Sequence, residues 1–248
     1  REQRGLDPHE ALGGFTDQVT NYSYGAAMAF LPRVVGVKTA VGASLTSLQT
    51  IARDCDVFLA FGGLPAKNWE VMSGGFGLHR YDEFMAAVAG RARLVNVSPF
   101  RDDVDGGHAS AWLPIRPNTD AALQLAIMYV WLTEGTWNKE YIETHAVGFE
   151  HLKRYVLGED EDKTPKTPKW AEPICGVPAR TIKALARQWA KLRTSIAHCN
   201  GGSYIRSTYA HEPGRLEVCL MGMQGLGAPG RNVIKFIEWN FFGLDTQN

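Results

Sequence analysis

Apolar positions along the chain fall into two kinds of run. Val57-Phe-Leu-Ala-Phe61 and Arg93-Leu-Val-Asn-Val97 are short and almost continuously apolar, the pattern of strands buried on both faces. Ala111-Trp-Leu-Pro-Ile115 and Ser195-Ile-Ala-His-Cys199 predict two more strands. Longer runs with helical spacing separate them. They predict helices over Ser47–Asp54, Tyr81–Ala89, Asp120–Thr133, Lys139–His145, Glu150–Val156, Ala179–Leu192 and about Pro213–Met223. The helix from Asp120 is apolar nearly all round and is expected to be deeply buried. Strands alternating with helices predict an α/β fold with a parallel sheet.

Two regions break this rhythm. Tyr24 to Val35 reads as an apolar helix with Ser23 at its cap, which Pro32 would kink or end near Leu31. Gly158 to Lys169 is charged and rich in Thr and Pro, the best linker candidate in the chain.

The loops after three predicted strands carry the chemistry. Gly62 and Gly63 follow the first strand, with Lys67 and Asn68 close behind. Ser98-Pro-Phe-Arg-Asp-Asp103 follows the second, and Pro117-Asn-Thr-Asp120 the third. In an open α/β sheet, loops at the carboxyl ends of neighbouring strands line one crevice, where nucleotides bind. Glycine lets backbone approach a ligand, Lys67 can counter a phosphate, and Asn68 can donate to one. Asp102, Asp103 and Asp120 are candidates for a ribose diol or the amine edge of guanine, and Asp120 is equally placed to cap its helix. The spacing G-x-G-x-x-G is absent, so a nicotinamide fingerprint is not present.

Composition narrows the field. The 248 residues carry 26 basic and 26 acidic side chains, so no basic field points to nucleic acid. No apolar run approaches the roughly 18 residues of a membrane span. Cys55, Cys175, Cys199 and Cys219 are scattered without a C-x-x-C pair and read as small buried hydrophobes. His79, His198 and His211 are isolated. The residues alone therefore describe a nucleotide-type cofactor domain without a visible catalytic engine.

Several stretches, in collinear order over nearly the whole chain, resemble molybdopterin oxidoreductases of the dimethyl sulfoxide reductase family. They include Asn21-Tyr-Ser-Tyr-Gly-Ala-Ala27, Leu59-Ala-Phe-Gly-Gly-Leu-Pro-Ala-Lys-Asn68 and Asn96-Val-Ser-Pro-Phe-Arg-Asp-Asp103. Leu113-Pro-Ile-Arg-Pro-Asn-Thr-Asp-Ala-Ala-Leu123 and Cys175-Gly-Val-Pro-Ala-Arg-Thr-Ile-Lys-Ala-Leu-Ala-Arg187 continue the match. The first half is most similar to the sulfoxide and N-oxide reductase branch, which includes biotin sulfoxide reductase. Met223 to Gly230 and Ala184 to Ala190 look more like pyrogallol–phloroglucinol transhydroxylase large subunits.

The resemblance implies a Rossmann-like domain and a molybdenum cofactor, bis-molybdopterin guanine dinucleotide. It maps the protein ligand of the metal, and the catalytic position, onto Ser23. Gly62, Gly63, Lys67 and Asn68 are then expected at the phosphates of one dinucleotide, and Ser98, Pro99, Asn118 and Asp120 at its guanosine. Ser203 and Arg206 are expected near a pterin. Residues 1–40 become a segment carrying the metal-ligand serine, 41–190 the dinucleotide-binding domain and 191–248 part of a second α/β domain. The expected activity is reduction of a sulfoxide or N-oxide by oxygen-atom transfer. Hydroxyl transfer between phenols and a cofactor-free assembly module are the alternatives. The chain is expected to be the central part of a longer polypeptide served by an electron donor, in the bacterial cytoplasm or periplasm.

Overall fold

A computed structural model of the chain describes residues 33–35, 48–67, 77–104, 107–198 and 207–235. Its elements are α1 (Leu48–Asp54), β1 (Val57–Phe61), α2 (Gly77–Ala89), β2 (Arg93–Val97), a 3-10 turn (Arg101–Asp103) and β3 (Ala111–Leu113). Then follow α3 (Asp120–Glu134), α4 (Lys139–His145), α5 (Phe149–Leu157), α6 (Pro168–Cys175), α7 (Ala179–Lys191), β4 (Thr194–His198), α8 (His211–Gly222) and β5 (Val233–Lys235).

The strands form one parallel sheet in the order β3-β2-β1-β4-β5. β1 is central and buried at all five positions, which its unbroken apolar run requires. Side-chain alternation divides the core. Val57, Leu59, Phe61, Val95, Val97, Leu113 and Ile196 pack toward α3, α6, α7 and α8. Phe58, Ala60, Leu94 and Ala197 face α1 and α2, where Tyr81, Phe84, Met85 and Val88 supply a helical stripe. The α/β parallel sheet expected from the pattern is thus present, Rossmann-like as the resemblance implies, with helices on both faces of the sheet.

α3 is the hub of the larger layer and packs on α5, α6, α7 and α8. Its Trp131 meets Trp189 of α7 edge to face at 5.2 Å, and Trp131 Nε1 donates to the Ala186 carbonyl at 2.7 Å. Segment 191–248, expected to open a second domain, contributes β4 and β5 to this same sheet.

Gly158 to Lys169 is not a linker. Gly158 ends α5 in a left-handed conformation, and Lys166 is buried, its backbone N–H donating to Val156 O at 2.9 Å. The Lys166 ammonium donates to the Asp162 carboxylate and to Thr164 O, and lies 4.3 Å from the Tyr155 ring centroid. Thr167 then caps α6, accepting from Trp170 N at 3.0 Å with Pro168 in the first turn.

Candidate functional site at the carboxyl edge of the sheet

Connections leave β1 toward β2 on one side, and the chain returns on the other side to place β4 beside it. The strand order therefore reverses between β1 and β4, and a crevice opens outside their carboxyl ends. The loops after β1, β2 and β3 all sit at this edge.

Gly62 and Gly63 leave β1 with φ of 79° each, a left-handed turn that side chains resist. Gly62 N donates to Val97 O at 2.9 Å, and Leu64 N donates to Asp103 O at 2.5 Å. Leu64 and Val104 form a parallel bridge, and Tyr81 Oη donates to Leu64 O at 2.9 Å. A Cβ on Gly63 would overlap the Cβ and carbonyl oxygen of Asp103. The close approach that Gly63 permits is thus to the neighbouring loop.

In the β2 loop, the buried Ser98 hydroxyl is hydrogen-bonded to the Asp103 carboxylate and accepts from Phe100 N at 3.2 Å. Ser98 N donates to Leu113 O at 3.3 Å, which joins this loop to β3. Asp103, expected as a ligand-binding carboxylate, is therefore engaged within the loop. Pro99 and Asp102 are exposed.

Asn118 is left-handed, with φ of 61°, and exposed. It lines one end of an open groove of about 1580 Å³ along α3, α4, α5 and α8. The cap position of α3 belongs to Thr119, whose hydroxyl donates to Arg116 O at 2.6 Å. Asp120 is the first helical residue and is buried, so its carboxylate meets the positive end of the helix.

The structure thus brings Gly62, Gly63 and Ser98 into one hydrogen-bonded unit, with Pro99 beside it and Asn118 and Asp120 on the adjoining loop. Lys67 is exposed on the continuation of the β1 loop. Ser23, Asn68, Ser203 and Arg206 lie outside the described residues. Sequence reasoning missed Asn96 and Trp112. Asn96 Nδ2 donates to Phe100 O and Arg101 O, both at 3.0 Å, and Trp112 Nε1 donates to Ser98 O at 2.9 Å. The available signal was a lone amide among the apolar residues Leu94, Val95 and Val97 of β2.

Burial pushes the Cys55 thiol up to about 11 and also raises those of Cys175 and Cys219. Among the described residues, no group of three His, Cys, Asp or Glu side chains is arranged to hold a metal ion.

No family model matches the chain. Individual proteins do. Trimethylamine-N-oxide reductase of Vibrio vulnificus is 32% identical over 252 aligned residues, covering 98% of this chain and 30% of that protein. The pyrogallol hydroxytransferase large subunit of Pelobacter acidigallici is 45% identical over 128 residues, half of this chain and 14% of its own length. The solved structure of acetylene hydratase from Pelobacter acetylenicus superposes with a TM-score of 0.58 at 25% identity, over 81% of this chain and 25% of that one. The chain therefore spans less than a third of the length of the proteins it matches. With the collinear stretches from Asn21 to Arg187 and the switch-point sheet beneath them, the chain belongs to the dimethyl sulfoxide reductase family of molybdopterin oxidoreductases.

Proposed function

We propose that this chain is part of a molybdenum enzyme that uses bis-molybdopterin guanine dinucleotide to reduce a sulfoxide or an N-oxide. The observation that carries the reading is the prebuilt carboxyl edge, where the β1 glycine turn is fastened to the β2 loop and the β3 loop adjoins it. That edge fits the nucleotide end of the cofactor. Gly62 and Gly63 give a left-handed turn in which Gly62 is partly exposed, and Lys67 is an exposed cation beside it. Asp120 and the start of α3 border the next loop.

Gly62, Gly63, Lys67 and Asn68 would hold the phosphates in this reading, and Ser98, Pro99, Asn118 and Asp120 the guanosine. Ser98 contributes by shaping its loop, because its hydroxyl is committed to Asp103 and Phe100 N. Asp102 is the exposed carboxylate of that loop and the one free to accept from a base. Ser203 and Arg206 would approach a pterin, and Ser23 would ligate the metal. When bound, the cofactor supplies two-electron oxygen-atom-transfer chemistry, while the protein binds and orients it. An electron donor and the remainder of a longer polypeptide complete the system.

Molybdenum and pterin content, with metal spectra of the longer protein and its Ser23→Ala variant, tests this reading. Loss or change of the metal signal with pterin retained is expected; unchanged spectra and turnover would remove Ser23 from the metal. A second reading, hydroxyl transfer between phenols, is favoured by the 45% identity with the hydroxytransferase over half of the chain. Turnover of sulfoxides and N-oxides set against trihydroxybenzenes separates the two. A protein isolated with neither metal nor pterin would support the assembly-module alternative.

A further inference from the structure

Asn96 is fully buried on β2, in register with Ala60 of β1 and Trp112 of β3. An amide there is costly unless it is hydrogen-bonded, and an apolar residue would fill the strand more cheaply. Its two donated bonds, to Phe100 O and Arg101 O, fix the amide orientation, since Oδ1 cannot donate. Oδ1 itself has no partner among the described residues. Asn96 therefore carries a cost that core stability alone does not explain.

Trp112 completes the arrangement from the edge strand. Its ring is partly exposed and lines a hollow of about 540 Å³ with Arg101 and Asp102, while Nε1 is committed to Ser98 O at 2.9 Å. The carbonyls of Ser98, Phe100 and Arg101 are thus all held by two side chains. The amides of Ser98 and Phe100 are also used internally, by Leu113 O and by Ser98 Oγ. What the loop turns outward is the run Pro99, Phe100, Arg101 and Asp102, every member exposed.

We infer that Asn96 and Trp112 are positioning residues of the nucleotide site: they hold the β2 loop in the shape that presents residues 99–102 to a purine nucleotide. The inference rests on the guanine dinucleotide reading above. Neither residue touches the ligand in this account. They act through the loop carbonyls and remove an ordering cost from binding.

The test uses the chain with GDP as probe and ADP as comparison. Trp112→Phe keeps the ring and loses the donor. Asn96→Asp keeps the shape and sets an acceptor against two carbonyls. Both variants are expected to weaken GDP binding by calorimetry, by about fivefold to tenfold. Amide exchange of Phe100 and Asp103 should rise at the same time, while α3 and β1 keep wild-type protection. Unchanged exchange at Phe100 and Asp103 in both variants would overturn the positioning role, whatever nucleotide binds. Faster exchange with unaltered GDP affinity would overturn it too, since the loop would then not face the ligand. Wild-type chain that takes ADP as well as GDP would instead fail the guanine reading, and the exchange data would still decide the positioning role.

Discussion

The two ends of the sheet use polar residues in opposite ways. At the amino edge, charges satisfy each other. Asp56, just before β1, accepts from Arg193 Nε at 2.9 Å, Arg193 Nη2 at 2.7 Å and Arg193 N at 3.2 Å, with Arg91 at 3.5 Å. Ser195 Oγ donates to Gly230 O at 2.9 Å and accepts from Asn232 N at 3.2 Å, locking β4 to the turn before β5. A Cβ on Gly230 would collide with the Asp54 carbonyl, so this end is also closed sterically. At the carboxyl edge, neutral donors from Asn96, Trp112 and Tyr81 shape the loops. Lys67 and Asp102 are left exposed there. At the amino edge polar groups close on themselves, and at the carboxyl edge, the proposed ligand face, they hold loops while Lys67 and Asp102 face outward.

The largest effect that would break this contrast is expected at Gly63. Gly63→Ala forces a left-handed alanine against Asp103, at a cost of about 3 kcal/mol or more. Thermal unfolding should show it, together with lost GDP binding. An alanine tolerated without loss of stability would mean that the two loops are not latched.

Asp56→Asn comes next and tests the amino edge alone. The carboxylate side chain is 30% exposed, so screening limits the loss to about 1 kcal/mol, with GDP binding retained. Hydrogen bonds from Arg193 hold the Asp56 carboxyl below the usual carboxylate range. Its contribution is therefore complete above the unfolded value, about 3.9, and fades as pH falls through the lower folded value. Denaturant titrations should show a constant gap between variant and wild type from about pH 5 to 8 that closes in more acidic solution. A gap that widens on acidification would contradict the ion pair.

The smallest stability effects belong to Lys67→Ala and Asp102→Asn, each within about 0.5 kcal/mol of wild type. Each should nonetheless weaken GDP binding by about threefold to tenfold, because a charged hydrogen bond to the ligand is lost. Variants that unfold the chain, or bind GDP normally, would erase the contrast between the two edges.

Much of this contrast is legible in the sequence. The bounds of β1, β2 and α4 follow from their runs, and the glycine turn after Phe61 marks the edge where ligands bind. β3 is shorter than its apolar run because Ile115 N donates back to Leu113 O at 2.9 Å, which turns the chain out of the ladder. α6 was hidden because charged residues from Glu159 onward gave the whole stretch the composition of a linker, although Thr167-Pro168 is a helix-start signal. β5, three residues long, offers no periodicity to detect. The Gly63–Asp103 latch and the Asn96 and Trp112 clamps depend on the register of neighbouring strands, which local pattern does not encode. Sequence therefore located the loops of the proposed ligand edge, and tertiary register sets how those loops are fastened together.

The most direct test is an amide-exchange footprint of the chain with and without GDP. Added protection is predicted at Gly62–Leu64, Ser98–Asp103 and Asn118–Asp120, with exchange around Asp56, Arg193 and Gly230 unchanged. Protection at the amino edge, or none at these three loops under saturating GDP, would contradict the assignment of the carboxyl edge as the nucleotide cradle.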